Sequence, residues 1–177
     1  MSADIHATGP IAGIGGGTGY AVTRATAEET AALRRTVLRP HLSIEQMALS
    51  GDQNPQTAYL AVRSPDDSQQ VLGCLRLEPV NCPWPDALEV PAQSPWQLRA
   101  MATDPSVRGS GIGRLLVEGA VGHVLAQGGD LIWCNARMGA EQFYIRLGFR
   151  PVSGTFAVPG APEAHVGMVL RPEMVRK

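Results

Sequence analysis

Val107-Arg108-Gly109-Ser110-Gly111-Ile112-Gly113-Arg114-Leu115-Leu116 joins a loop of small residues to the start of an apolar helical stretch, directly after the apolar residues 98–103. A helix start leaves backbone N–H groups without acceptors and carries the positive end of the helix dipole. A loop that brings a pyrophosphate there binds it without a dedicated lysine. Gly109, Gly111 and Gly113 permit that approach because they lack Cβ atoms. The stretch reads as strand, phosphate cradle and helix.

Working outward, residues 21–24 make a first strand, and Thr26 caps a helix with Glu28 and Glu29 in its first turn, ending near Leu38 before Pro40. Ser43 caps a shorter helix through Leu49, which Gly51 closes. Residues 57–63 and 71–77 form a hairpin with one face toward the core. Pro79, Pro83, Pro85, Pro91 and Pro95, with Trp84 and Cys82 among them, mark an ordered but irregular insertion that shapes a rim. Residues 96–103 are a fourth strand, 111–127 the long helix, 131–134 a fifth strand and 139–147 another helix. Residues 150–155 and 165–170 are the last strands. Gly119 and Gly122 in the long helix point to close packing against the sheet.

A chain of 177 residues with 44% hydrophobic and 18% charged residues suits one domain with a full core. A net charge of −1 gives no footprint for nucleic acid or an anionic membrane. Lys177 is the single lysine, so neither a GxxxxGK nucleotide loop nor Schiff-base chemistry is open to the chain. Cys74, Cys82 and Cys134 lack CxxC spacing, and the four histidines lack ligand spacing, so no disulfide framework and no metal are expected. Without a signal segment or an apolar run of transmembrane length, a cytoplasmic location is expected. Gly13-Ile14-Gly15-Gly16-Gly17-Thr18-Gly19 fails as a dinucleotide fingerprint, since Thr18 stands where a third glycine is needed. Residues 1–19 read as a flexible tail.

The element order, with Arg108-Gly109-Ser110-Gly111-Ile112-Gly113 after the fourth strand and Phe143-Tyr144-Ile145-Arg146-Leu147-Gly148-Phe149 after the fifth, resembles the GNAT acetyltransferase superfamily over residues 20–171. Arg108, Gly111 and Gly113 match that family's Q/R-x-x-G-x-G/A motif. Met101-Ala102-Thr103-Asp104-Pro105 is similar to its strand end before the cofactor loop. The resemblance implies a single α/β domain of α+β type over residues 20–177, with a central mixed, twisted sheet flanked by helices. It also implies acetyl-CoA as acyl donor: backbone groups of Met101, Ala102 and Thr103 would hold the acetyl and pantetheine portion. Gly109, Ser110, Gly111, Ile112, Gly113 and Arg114 would hold the pyrophosphate, with charge added by Arg108 and Arg114.

The resemblance further implies Tyr144 as the general acid that protonates the departing thiolate, against the plainer reading of an aromatic packing residue. Arg137 stands where many members have asparagine, with Asn135 two positions earlier. Arg137 either contacts the cofactor in its place or forms an ion pair at the helix entry. Glu78, Glu89, His41 and His165 are candidate bases, and none is singled out. Glu78 has a plainer reading as an exposed ion pair, His165 as a sheet-edge polar residue and His123 as structural. Residues 40–55, 80–95 and 153–165 are expected to build the acceptor site. The resulting expectation is direct acetyl transfer to a primary amine, of a small molecule first and of a peptide or protein second. A non-catalytic acyl-CoA-binding module is the rival. A homodimer is compatible with this reading.

Overall fold

The computed structural model describes residues 19–175, so the expected tail lies, apart from Gly19, outside the described residues. The elements run β1 (Val22–Ala25), α1 (Ala27–Leu38), β2 (Ala58–Arg63), β3 (Val71–Pro79), β4 (Pro95–Thr103), α2 (Ile112–Ala126), β5 (Leu131–Arg137), α3 (Glu141–Arg146), β6 (Arg150–Ala157) and β7 (Ala164–Leu170). The strands form a seven-stranded sheet in the order β1-β2-β3-β4-β5-β7-β6. It is mixed: β4 and β5 are parallel, whereas β1 with β2, β5 with β7, and β6 with β7 are antiparallel.

Local chemistry explains where α1 starts. The Glu29 N–H donates to Thr26 Oγ1 at 3.1 Å and the Thr26 N–H donates to Glu29 Oε2 at 2.7 Å, a reciprocal cap that satisfies two otherwise unpaired amides. Ser43 and Gln46 form a similar pair, yet only the single 3₁₀ turn Glu45–Met47 follows, not the helix through Leu49 that the sequence suggests. Side chains take the groups a helix would have used. Arg34 Nη1 donates to Met47 O at 2.8 Å, Arg76 Nη2 donates to Ser50 O at 2.8 Å, and the Leu49 N–H donates to Asp52 Oδ2 at 2.8 Å.

The chain groups into two compact units, one of residues up to Arg76 with Ala100–Gly119, the other of Leu77–Arg99 with the residues from Ala120 on. In the first, residues 58–62 of β2 and 72–76 of β3 are buried, although the sequence pattern predicts one solvated face. Two helices account for the difference. Leu33 of α1 packs with Cys74 and Ala102, while Ile112 and Leu116 of α2 press on Gly73, where an added Cβ would meet them at 2.6 and 3.0 Å. Gly119 is equally tight, its notional Cβ lying 2.9 Å from Val22 Cγ1. Gly122 has nothing within 4 Å, so close packing holds for Gly119 and not for Gly122.

In the second unit, Leu131, Trp133 and Val169 form a cluster against which Cys82, Trp84, Leu88 and Ala92 of the proline-rich insertion pack, together with Val152. The insertion is anchored by polar bonds as well. The Asp130 carboxylate accepts from the Gln93 and Ser94 N–H groups at 2.8 Å, and Trp133 Nε1 donates to Val80 O at 2.8 Å. Trp84 lies over Gly167, whose missing Cβ would come within 2.4 Å of the indole. Trp96 is core instead, edge-on to the buried His123 at 5.5 Å.

Gly73→Ala is expected to lower stability by about 1–3 kcal/mol, because the new methyl must displace Ile112 and Leu116. Gly122→Ala should gain roughly 0.5–1 kcal/mol from helix propensity. Thermal unfolding followed by circular dichroism separates the two as melting-temperature shifts of opposite sign.

Candidate functional site

Asp104 opens the loop before α2. Its N–H donates to Leu72 O at 2.8 Å, and its Oδ1 accepts from the Ser106 N–H at 2.9 Å and the Ser106 hydroxyl at 2.6 Å, which sets the 3₁₀ turn Pro105–Val107. The Ser110 N–H and hydroxyl both donate to Val107 O. Gly109 and Gly111 then take φ values of 81° and 87°, the left-handed region that favours glycine, and nothing lies within 4 Å of a Cβ placed on either. The first bond of α2 runs from the Leu115 N–H to Gly111 O. That geometry leaves the N–H groups of Ile112, Gly113 and Arg114 without intrahelical acceptors at the positive end of a fifteen-residue helix.

The sequence-named residues of the cradle therefore sit together in the first unit. Arg108 is exposed, and Arg114 Nε donates to Glu118 Oε1 at 2.9 Å, one helical turn on, so the Arg114 charge is shared with that carboxylate. Upstream, Ala100 holds φ 53°, unusual for a residue with a Cβ, and bends β4 just before Met101, Ala102 and Thr103. The parallel ladder of β4 with β5 covers only Pro95–Gln97 and Leu131–Trp133.

Tyr144 and Arg137 belong to the second unit. Tyr144 is 8% exposed and lies edge-on to Phe143 at 5.1 Å and to Phe149 at 5.2 Å. Burial pushes its phenol far above the ordinary value. The Cys134 thiol adds to the rise and Arg137 opposes it, so the hydroxyl keeps its proton across the physiological range. Arg137 Nη1 stands 3.8 Å from Glu163 Oε1, the ion pair that the sequence left as one of two readings.

The candidate bases separate clearly. Glu78 stands 3.5 Å from Arg99 as an ion pair, but its side chain is only 12% exposed, which corrects the expectation of an exposed pair. Glu89 and His41 are exposed. His165 is 6% exposed on β7, an interior strand between β5 and β6, so the sheet-edge reading does not hold.

Comparison with known proteins decides the family. The acetyltransferase (GNAT) domain model matches residues 55–151, more than half of the chain. The chain belongs to the GNAT acetyltransferase family. It is similar to the uncharacterized N-acetyltransferase YitI of Bacillus subtilis (strain 168), at 31% identity over 75% of this chain and 84% of that protein. Its fold is similar to that of an aminoglycoside 6'-N-acetyltransferase complexed with coenzyme A, with a TM-score of 0.64, 15% identity and coverage of 85% of this chain and 96% of that one. The ribosomal-protein-S18-alanine N-acetyltransferase from Escherichia coli has a TM-score of 0.64, 14% identity and coverage of 89% and 97%. The expected mixed-sheet α/β architecture and the expected enzyme class, an acetyl-CoA-dependent acyltransferase, both stand.

For a GNAT acyltransferase the cysteines matter, because a thiolate would offer a covalent route. Burial pushes the Cys74 thiol up to about 12 and raises Cys134 further, so neither supplies a nucleophile near neutral pH.

A cluster in the first unit escaped the sequence reading. Arg34 and Arg76 are fully buried around Tyr59, with Arg76 Nε donating to Asp52 Oδ1 at 3.0 Å and the Tyr59 hydroxyl donating to the same oxygen at 2.8 Å. Burial alone would raise the Asp52 carboxyl. The Leu49 N–H, the Tyr59 hydroxyl and Arg76 outweigh it and hold the group below the usual carboxylate range. No spacing rule marks Arg34, Asp52, Tyr59 and Arg76, which stand 18, 7 and 17 positions apart along the chain.

Among the described residues, no helix is long and apolar enough to cross a membrane. In the folded protein, iodoacetamide at pH 8 is expected to leave Cys74 and Cys134 unmodified and to reach at most the half-exposed Cys82. Intact-mass analysis before and after denaturation checks this, with modification at all three sites only after unfolding.

Proposed function

We propose that the chain transfers the acetyl group of acetyl-CoA directly to the primary amine of a small molecule. The observation that carries the donor assignment is the start of α2, where three amides lack intrahelical acceptors beside two left-handed glycines with open space around them. A diphosphate fits such a turn, since its oxygens accept from the N–H groups of Gly109 through Arg114. Arg108 adds a full charge, while Arg114 contributes chiefly its backbone amide because Glu118 shares its guanidinium. Bound acetyl-CoA supplies an acyl group activated as a thioester. Backbone groups of Met101, Ala102 and Thr103 are assigned to its acetyl and pantetheine end; Arg137, paired with Glu163, is given no donor contact.

Tyr144 is assigned as the general acid. Its buried phenol keeps its proton and so has one to give to the leaving thiolate. Direct attack by the amine, rather than a relay through Cys74 or Cys134, is supported by the burial that keeps those two thiols protonated. A structural neighbour named for an aminoglycoside and another named for a ribosomal-protein alanine share one TM-score, so fold likeness leaves the acceptor open. The modest charge of residues 40–55, 80–95 and 153–165 favours a small metabolite in a cytoplasmic setting.

Tyr144→Phe is expected to lower kcat by roughly 10²-fold with acetyl-CoA affinity unchanged, measured as free-thiol release over an amine panel. Unchanged turnover would remove Tyr144 from the acid role. Gly111→Glu should abolish acetyl-CoA binding in calorimetry, because a negative side chain occupies the phosphate position. Undiminished affinity in a folded variant contradicts the cradle. Acetyl-CoA binding without thiol release from any amine points instead to a non-catalytic acyl-CoA-binding module.

A further inference from the structure

On the face of the sheet that carries Trp84, three polar atoms are buried without a hydrogen-bond partner among the described residues: Asn135 Oδ1, Glu163 Oε2 and His165 Nδ1. Strand register makes them neighbours. Asn135 stands opposite Gly167, and Arg137 stands opposite His165, so Asn135 and His165 are diagonal partners on one face of β5 and β7. Glu163 reaches the same place through Arg137, which holds its Oε1 at 3.8 Å and leaves Oε2 over. Phe156 lies opposite His165 on β6, their rings 6.3 Å apart, and Trp84 lies 5.8 Å from both Phe156 and Trp133. His165 forms a buried floor, whereas Trp84, Asn135, Arg137, Phe156 and Glu163 are only half-buried, which leaves the rim open.

The chemistry of these atoms selects a ligand. A carboxylate oxygen and an amide oxygen only accept hydrogen bonds, and an imidazole Nδ1 accepts when its proton sits on Nε2. Buried acceptors without donors are costly, so a group that brings several N–H donors and no acceptor is favoured there. A primary ammonium brings three. Indole and phenyl faces at the rim attract the same cation and pack a flat apolar group. A polycation is not favoured, because one carboxylate, already shared with Arg137, is the single acidic group of the cluster.

We infer that this face is the acceptor subsite, and that it takes a primary monoamine bearing a flat apolar group, an arylalkylamine in chemical class. The inference rests on the transferase reading above and adds to it the acceptor and the residues that select it: Asn135, Glu163 and His165 for the ammonium, Trp84 and Phe156 for the apolar group.

The test uses the full chain with two readouts, indole fluorescence on titration with 2-phenylethylamine and thiol release in the presence of acetyl-CoA. Asn135→Leu and Glu163→Gln are chosen because both side chains are half-exposed, so the variants fold, whereas Trp84→Ala would uncover the sheet face. The inference expects saturable phenylethylamine binding, weakened about tenfold or more in each variant, with the KM for acetyl-CoA within about twofold of the parent. It also expects phenylethylamine to be acetylated with higher kcat/KM than spermidine or a peptide with a free amino terminus. Wild-type amine affinity in both folded variants, no binding of phenylethylamine at all, or a preference for spermidine or the peptide overturns it. Binding that depends on Asn135 and Glu163 but yields no thiol supports the subsite and defeats the transferase reading, which keeps the two failures apart.

Discussion

The first unit depends on how closely α2 can lie against its strands. Gly73 and Gly119 each leave out a side chain at a place where one more carbon would collide with Ile112, Leu116 or Val22. That close seating fixes the helix axis, and with it the direction in which the amino end presents its unpaired amides. The Leu72 carbonyl holds the Asp104 amide, so the approach to the helix is anchored to the same strand that receives it. Strand, turn and helix are thus tied together, so the proposed diphosphate site is set up before any ligand arrives.

Burial does different work in the second unit. Around Tyr144 it removes water and keeps a phenol protonated. Around Cys134 it silences a thiol that would otherwise compete for acyl groups. The same principle applied beneath Trp84 gives the opposite result, because there the sequestered groups are acceptors in want of donors. One physical term, the cost of taking a polar group out of water, therefore keeps a phenol and a thiol protonated in one place and leaves acceptors short of donors in another.

Legibility in the sequence followed the range of the interactions. Thr26 with Glu29, and the glycines at 109 and 111, act within a few residues, so their patterns could be read directly. β5 runs three residues beyond the 131–134 expected, because Asn135, Ala136 and Arg137 are held by ladder bonds to Gly167, Val166 and His165, partners about thirty positions away. The two-sided burial of β3 was hidden for a related reason. Cys74 and Arg76 look like a solvent face until α1 and the Asp52 segment are laid over them. The loop residues before α2 and Tyr144 were named from motif, while the Arg137–Glu163 ion pair and the burial of His165 on an interior strand emerged only from the fold.

The indole over Gly167 has a bearing on how the far strands assemble. A slip of β7 by one residue along β5 would put Val166 or Met168 under Trp84, where no room exists for a side chain. The insertion, though irregular itself, thereby works as a peg in a one-residue socket that proofreads the alignment of two neighbouring strands. Its prolines narrow the shapes open to the unfolded segment and so reduce the entropic penalty of docking. A cover with no ladder of its own can in this way enforce the ladder beneath it.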